Sequence, residues 1–202
     1  MKKQIICIHG GEVYESYAEY LADLQTFTVD PYVRQKKWRH TLQEGLGHDY
    51  EVFLPYMPNK MNAAYVEWEL WFEKYFPFLQ GEVTLIGHSL GGAFLLRYLS
   101  THTLPVPVAA LYLVAAPYFD QISTEGGDFR FDSSLLTSQR GIAQEVVLVH
   151  SKDDVVVPFS HFEKFKEIFK EGETLVFTDR GHFNQESFPE LIEDIKRNRV
   201  EK

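Results

Sequence analysis

Glu82-Val83-Thr84-Leu85-Ile86-Gly87-His88-Ser89-Leu90-Gly91-Gly92-Ala93-Phe94-Leu95-Leu96-Arg97-Tyr98-Leu99 is the stretch that decides how this chain is read. An apolar β-type run, Val83 to Ile86, meets a Gly-x-Ser-x-Gly turn, and an apolar pattern of helical period follows. A serine at the apex of so sharp a strand-to-helix turn is a candidate nucleophile, its hydroxyl lifted above the sheet. The turn forces the apex residue into a strained backbone conformation, and the small neighbours Gly87 and Gly91 avoid the collisions this would cause. Gly92 lets the helix approach the sheet closely, and the first helical N–H groups, that of Leu90 among them, point back toward Ser89. Taken alone, the motif also describes a plain glycine-rich turn; its place between a strand pattern and a helix pattern favours the nucleophile.

Working outward, the same alternation runs through the whole chain. Ile5 to Ile8, Ala109 to Ala115 and Val146 to His150 read as further strands, apolar runs of the kind buried on both faces of a parallel sheet, and Glu51 to Pro55 and Leu175 to Phe177 read as strands too. Tyr14 to about His48 reads as helical, with Tyr17, Leu21 and Leu24 on one face before the break at Asp30-Pro31 and Trp38, Leu42 and Leu46 on one face after it. Asn62 is expected to cap a helix whose Ala64, Trp68, Trp71, Tyr75 and Phe78 form one stripe. Ser160-x-x-Glu163 and Ser187-x-x-Glu190 read as capping boxes, the first opening a helix with Phe162, Phe165 and Phe169 inward, the second one with Leu191, Ile192 and Ile195 inward. Strands alternating with helices define an α/β class, an open, mostly parallel sheet with helices on both faces in three layers. Residues 118–144 lack sustained periodicity and exceed the usual connection length, which makes them a candidate short lid or a plain surface excursion.

In such sheets ligands bind beyond the carboxyl ends of the strands. Ser89, the Asp153-Asp154 pair and His182 all fall on loops there, in the order serine, acid, histidine. A serine hydroxyl is a weak nucleophile at neutral pH and needs a base in hydrogen-bond reach, itself oriented by an acid. His182, in Gly181-His182-Phe183 after the last strand, is the candidate base. Consecutive loop residues cannot both face one imidazole, and Asp154 is preferred over Asp153 because it heads Asp-x-x-Val-Pro. His9-Gly10-Gly11 follows the first strand, so the Gly11 N–H, or that of Glu12 one residue on, is expected to join Leu90 in receiving an oxyanion. His9 is expected to shape that loop and His88 to point away from Ser89, while His40, His48, His102 and His161 read as surface or packing residues. Tyr118 and Phe119, with Trp68, are candidates for an apolar acyl pocket.

Composition bounds these readings. The 202 residues suit one domain, 1–202. A net charge of −9 argues against a nucleic-acid partner, which demands a cationic surface. The most basic stretch, Arg34 to His40, could greet an anionic ligand but reads first as a solvated helix face. Cys7 is the single cysteine, expected as a buried thiol in a reducing, cytoplasmic setting, and no run is long enough to span a bilayer. The histidines near strand ends have neither close helical ligand spacing nor a cysteine to join them, so no metal site is expected.

Gly87-His88-Ser89-Leu90-Gly91-Gly92, the Asp153-Asp154-Val155-Val156-Val157-Pro158 loop and Gly181-His182-Phe183 resemble the α/β-hydrolase superfamily. Within it the short chain, the Asp-Asp loop and the Gly-His-Phe ending look most like the small serine-hydrolase branch, the group of the retinoblastoma-binding serine hydrolase and compact bacterial relatives. The resemblance implies a Ser89, Asp154, His182 triad, oxyanion donors from Leu90 and the first loop, and no cofactor. The expected activity is hydrolysis of a small-molecule ester, thioester or amide, foremost that of a carboxylesterase. A non-catalytic binding protein on the same fold, or lyase or perhydrolase chemistry, is the alternative.

Overall fold

The computed structural model describes residues 2–32, 36–138 and 142–197. The apolar runs form six strands among these residues, β1 (Lys3–Ile8), β2 (Tyr50–Phe53), β3 (Val83–His88), β4 (Val108–Val114), β5 (Val146–Ser151) and β6 (Glu173–Phe177). They make one sheet in the order β2-β1-β3-β4-β5-β6, with every pairing parallel. The inner strands are hydrophobic at nearly every position because side chains of period two must enter a core on each face. Ile6 and Ile8 of β1 enter one apolar cluster, and Ile5 and Cys7 enter the other.

Helices α3 (Tyr65–Glu73), α4 (Leu90–Thr101), α5 (Ser133–Ser138) and α6 (Ser160–Ile168) supply the first cluster through Trp68, Phe72, Phe94, Leu136, Phe162 and Phe165. A 3-10 turn at Trp38–Thr41, α2 (Leu42–Leu46) and α7 (Pro189–Arg197) supply the second through Trp38, Leu42, Leu46, Leu191 and Ile195. Every residue of α4 except Arg97 and Thr101 is buried, because helices and loops cover its outer side as well as the sheet covering its inner one. The chain runs from β1 out to the edge strand β2, then back past β1 to β3. The carboxyl ends of β1 and β3 therefore open a crevice where the strand order reverses.

Several expectations require correction. Of the expected helical stretch, Tyr17–Leu24 forms α1, and Trp38–Thr41 and Leu42–Leu46 form the 3-10 turn and α2 with Trp38, Leu42 and Leu46 buried; α1 buries none of its residues, and Tyr17, Leu21 and Leu24 share a face that stays exposed. The periodicity is real, but no sheet surface lies beneath it. On α3 the buried residues are Tyr65, Trp68 and Phe72, while Trp71 is exposed, as is Phe78 of the 3-10 turn Phe76–Phe78 that follows. The N-cap of α3 is Ala64 rather than Asn62, and its first amide, Tyr65 N–H, is capped from a distance by Asp128 Oδ2 at 2.9 Å. Among the described residues no capping bond forms from Ser160, which is the first residue of α6 with Phe159 as its N-cap. Glu190 instead takes the Arg180 guanidinium. The described part of 118–144 is anchored rather than loose: Phe129, Phe131 and Leu136 are buried, and Phe129 packs edge-on against Trp68 at 5.2 Å. Residues 139–141 of that segment and Arg34 and Gln35 of the basic stretch lie outside the described residues.

Candidate active site

Ser89 stands at the junction of β3 and α4 with φ 54° and ψ −129°, a conformation costly for any residue with a side chain. Tight packing holds it there. A Cβ on Gly87 would lie 2.5 Å from Gly92 Cα, and one on Gly91 would lie 2.6 Å from the Ile8 carbonyl oxygen. The turn closes only because both positions lack one. The strain aims the Ser89 hydroxyl out of the sheet, where its Oγ lies 2.9 Å from His182 Nε2. His182 Nδ1 lies 2.8 Å from Asp154 Oδ2. With Nδ1–H donating to the carboxylate, the Nε2 lone pair is left to accept the serine proton.

Asp154 is itself fixed. Its side chain is fully buried, and its second oxygen, Oδ1, accepts the N–H groups of Val156 at 2.9 Å and Val157 at 3.0 Å. Asp153 turns the other way. Its Oδ1 accepts Ser151 Oγ–H and, at 3.0 Å, the Gly181 N–H, while Ser151 Oγ accepts the Arg180 N–H at 3.1 Å. The two aspartates thus divide the work: one faces the imidazole, the other ties the β6–α7 loop to the end of β5.

His182 is held from the opposite side too. His88 donates Nε2–H to the His182 carbonyl at 2.9 Å, and the Trp38 indole donates to the next carbonyl, that of Phe183, at 3.0 Å. Burial, with the neighbouring His182 adding to it, pushes the His88 pKa down to about 3, so the ring is a neutral donor. His9 shapes the loop after β1 as expected. It accepts the Met57 N–H at Nε2 (2.9 Å), which leaves Nδ1–H for the Gly10 carbonyl at 2.6 Å, and burial lowers its pKa to about 4.

The Glu12 N–H is engaged by the Lys60 carbonyl at 2.8 Å and is removed as an oxyanion donor. The Gly11 and Leu90 amides have no partner among the described residues. Both residues line the same cavity of about 850 Å3 as Ser89 and His182. A groove of about 1020 Å3 beside it shares Val13, Tyr14, Lys60 and Met61 but contains none of the Ser89–His182–Asp154 relay. The acyl-pocket expectation divides. Phe119 lines the cavity with Pro117, Val156 and Val157. Tyr118 does not: it is buried against Phe131 and Phe165, and its N–H donates to His161 Nδ1 at 2.8 Å. Trp68 is fully buried beneath Gly11, where it supports the loop rather than meeting a ligand.

Residues that sequence reasoning placed elsewhere complete the lining. His161 reaches the cavity wall, and so do Lys37 and Arg39, which are half-buried rather than on a solvated face. The signal for the cations was the basic stretch itself; nothing local in the sequence showed that it folds over the crevice.

This architecture is that of the α/β-hydrolase superfamily. The chain belongs to the serine hydrolase family, whose sequence model matches residues 33–196, and is a hydrolase of that kind. It is 26% identical over 174 residues to serine hydrolase RBBP9 of Rattus norvegicus, an alignment covering 79% of this chain and 84% of the relative. Among solved structures, the ydeN gene product of B. subtilis matches with a TM-score of 0.67 at 20% identity, covering 98% of both chains. A lipase-esterase related protein from Clostridium acetobutylicum matches with a TM-score of 0.64 at 15% identity, covering 96% of this chain and 93% of that one. At such identities the structural likeness speaks for the fold. Among the described residues no helix is long and apolar enough to cross a membrane.

Proposed function

We propose that this serine hydrolase is a carboxylesterase-like enzyme, acting in a reducing, cytoplasmic setting on a small-molecule ester, thioester or amide through an acyl-enzyme. Ser89 Oγ attacks the substrate carbonyl carbon while His182 Nε2 takes the hydroxyl proton. The carbonyl oxygen, now negative, is received by the Gly11 N–H of the loop after β1 and the Leu90 N–H at the N-terminus of α4. Asp154 keeps Nδ1 protonated and stabilises the imidazolium. When the tetrahedral intermediate collapses, the bond to the leaving group breaks and His182 returns the proton to it. Water then enters by the same route in reverse roles: His182 takes its proton, a C–O bond to water forms, the bond to Ser89 breaks as His182 returns the proton to Ser89 Oγ, and a carboxylic acid leaves.

The observation that carries this reading is the unbroken relay Ser89 Oγ, His182 Nε2, His182 Nδ1, Asp154 Oδ2, with both steps within 2.9 Å, beside two amides that have no partner among the described residues. A fluorophosphonate probe tests it. Labelling is expected on Ser89, lost in Ser89→Ala and weakened in His182→Ala. Ester turnover is expected to fall by roughly 10³- to 10⁶-fold in Ser89→Ala while circular dichroism stays unchanged. A wild-type protein that resists the probe would favour a non-catalytic binding role, and undiminished turnover in Ser89→Ala would move the chemistry elsewhere.

A further inference from the structure

Lys37, Arg39 and Lys60 line the cavity that holds Ser89 and His182. They arrive from two separate loops, one before the Trp38 turn and within it, the other between β2 and α3. All three act electrostatically on His9, which places them together around the start of the loop that carries Gly10 and Gly11. Each is half-buried.

None of the three is in an ion pair with a carboxylate of the described residues. Lys37 Nζ donates to a neutral acceptor, Asn184 Oδ1, at 2.8 Å. Lys60 Nζ lies over the Tyr56 ring, 5.6 Å from its centre. Arg39 Nε is buried with no hydrogen-bond partner among the described residues. Burial, and then the mutual repulsion of these cations, lowers the Lys37 pKa, and burial lowers that of Arg39. The carboxylates of the cavity belong elsewhere. Glu19 accepts the Glu15 N–H, and neither Glu12 nor Glu125 forms an ion pair with the three cations among the described residues.

A chain of net charge −9 has acids in excess, yet these cations are left unmatched where water is partly excluded. Partly desolvated charge without a partner is unfavourable, and a guanidinium on a cavity wall is a ready receptor for a planar oxyanion. We propose that the substrate carries an anionic group, a carboxylate or a phosphate, held by Arg39 with Lys37 and Lys60 while its ester carbonyl sits at Ser89. This deepens the hydrolase reading and rests on it: the cations select the substrate, and the relay cleaves it.

The test uses paired probes that differ in charge. Ethyl hydrogen glutarate against ethyl valerate puts the acid on the acyl side, and 4-acetoxybutanoate against pentyl acetate puts it on the leaving side. For at least one pair, kcat/KM is expected to favour the acidic member by about tenfold or more at low salt, as a charge-assisted hydrogen bond would give. The preference should shrink with added salt and in Arg39→Gln, or in Lys37→Gln and Lys60→Gln should Arg39→Gln not fold. Glutarate and inorganic phosphate as competitors separate the two anions, the stronger inhibitor naming the group. Independently of turnover, calorimetric titration of Ser89→Ala with the two acidic esters should show binding that is lost when Arg39→Gln is added. Turnover of the neutral esters with no acidic preference in either pair, or no acidic ester bound by Ser89→Ala, would overturn this inference and leave the hydrolase reading standing. Binding to Ser89→Ala with no turnover of any ester by the wild-type protein would do the reverse.

Discussion

Asp153 and Asp154 carry the same functional group one residue apart, and the backbone alone separates their roles. Asp154 places one oxygen on His182 and the other on two amides, whereas Asp153 ties Ser151 to Gly181. Asp154→Asn keeps the size of the side chain but replaces an acceptor-only group with one that can donate, which favours the wrong imidazole tautomer. We expect ester turnover to fall by about 10⁴-fold. Asp153→Asn should cost far less in rate and act chiefly on the stability of the β5 and β6 loops, read as a lowered midpoint of thermal unfolding. Parallel kinetics on the two variants decide the matter, and a larger rate loss at 153 would reverse the assignment.

The turn between β3 and α4 works because its glycines allow backbone to touch backbone. A methyl group on Gly87 or Gly91 meets main-chain atoms that cannot rotate away, whereas one on Gly47 meets nothing within 4 Å, although its positive φ of 87° still disfavours a side chain there. Gly87→Ala and Gly91→Ala are therefore expected to destabilise the fold by about 1–3 kcal/mol and to displace Ser89. Urea unfolding would measure the first effect, and the rate of fluorophosphonate labelling the second. Labelling at the wild-type rate in both variants would show that the turn tolerates a shift of its backbone. Helix α1 is the contrasting case. Its apolar face is periodic and yet exposed, since period reports which residues share a side and not what lies opposite that side.

Two buried, neutral histidines tie separate parts of the molecule together. His88 joins the β3–α4 turn to the loop of His182, and His9 joins the end of β1 to Met57. Their pKa values of about 3 and about 4 lie below the 6.5 of a free histidine. Between those values the unfolded chain binds more protons than the folded one, so stability is whole above pH 6.5 and is lost as pH falls through that window. The contribution of each group is at most about 1.4 kcal/mol per pH unit. His88→Gln, which keeps a donor for the His182 carbonyl but cannot titrate, should have a shallower dependence of unfolding free energy on pH than the wild-type protein across that range. Equal slopes in a urea series at several pH values would show that His88 does not stay neutral in the fold.

The six strands, the elbow, Ser89, His182 and the order of the three polar motifs were legible in the sequence, because each is announced locally. A buried strand needs an uninterrupted apolar run, and a turn that tight needs glycine at fixed offsets. The cap of α3 was not legible, since Asp128 reaches Tyr65 from a distant loop. The same holds for the burial of Tyr118 and Trp68 and for the exposed face of α1. Lys37, Arg39 and Lys60 show the limit most clearly: their charge is written in the chain, but their gathering around one cavity follows from where two loops land on the folded sheet. Patterning along the chain sets which side each residue takes, and contact between segments remote in sequence sets what that side faces.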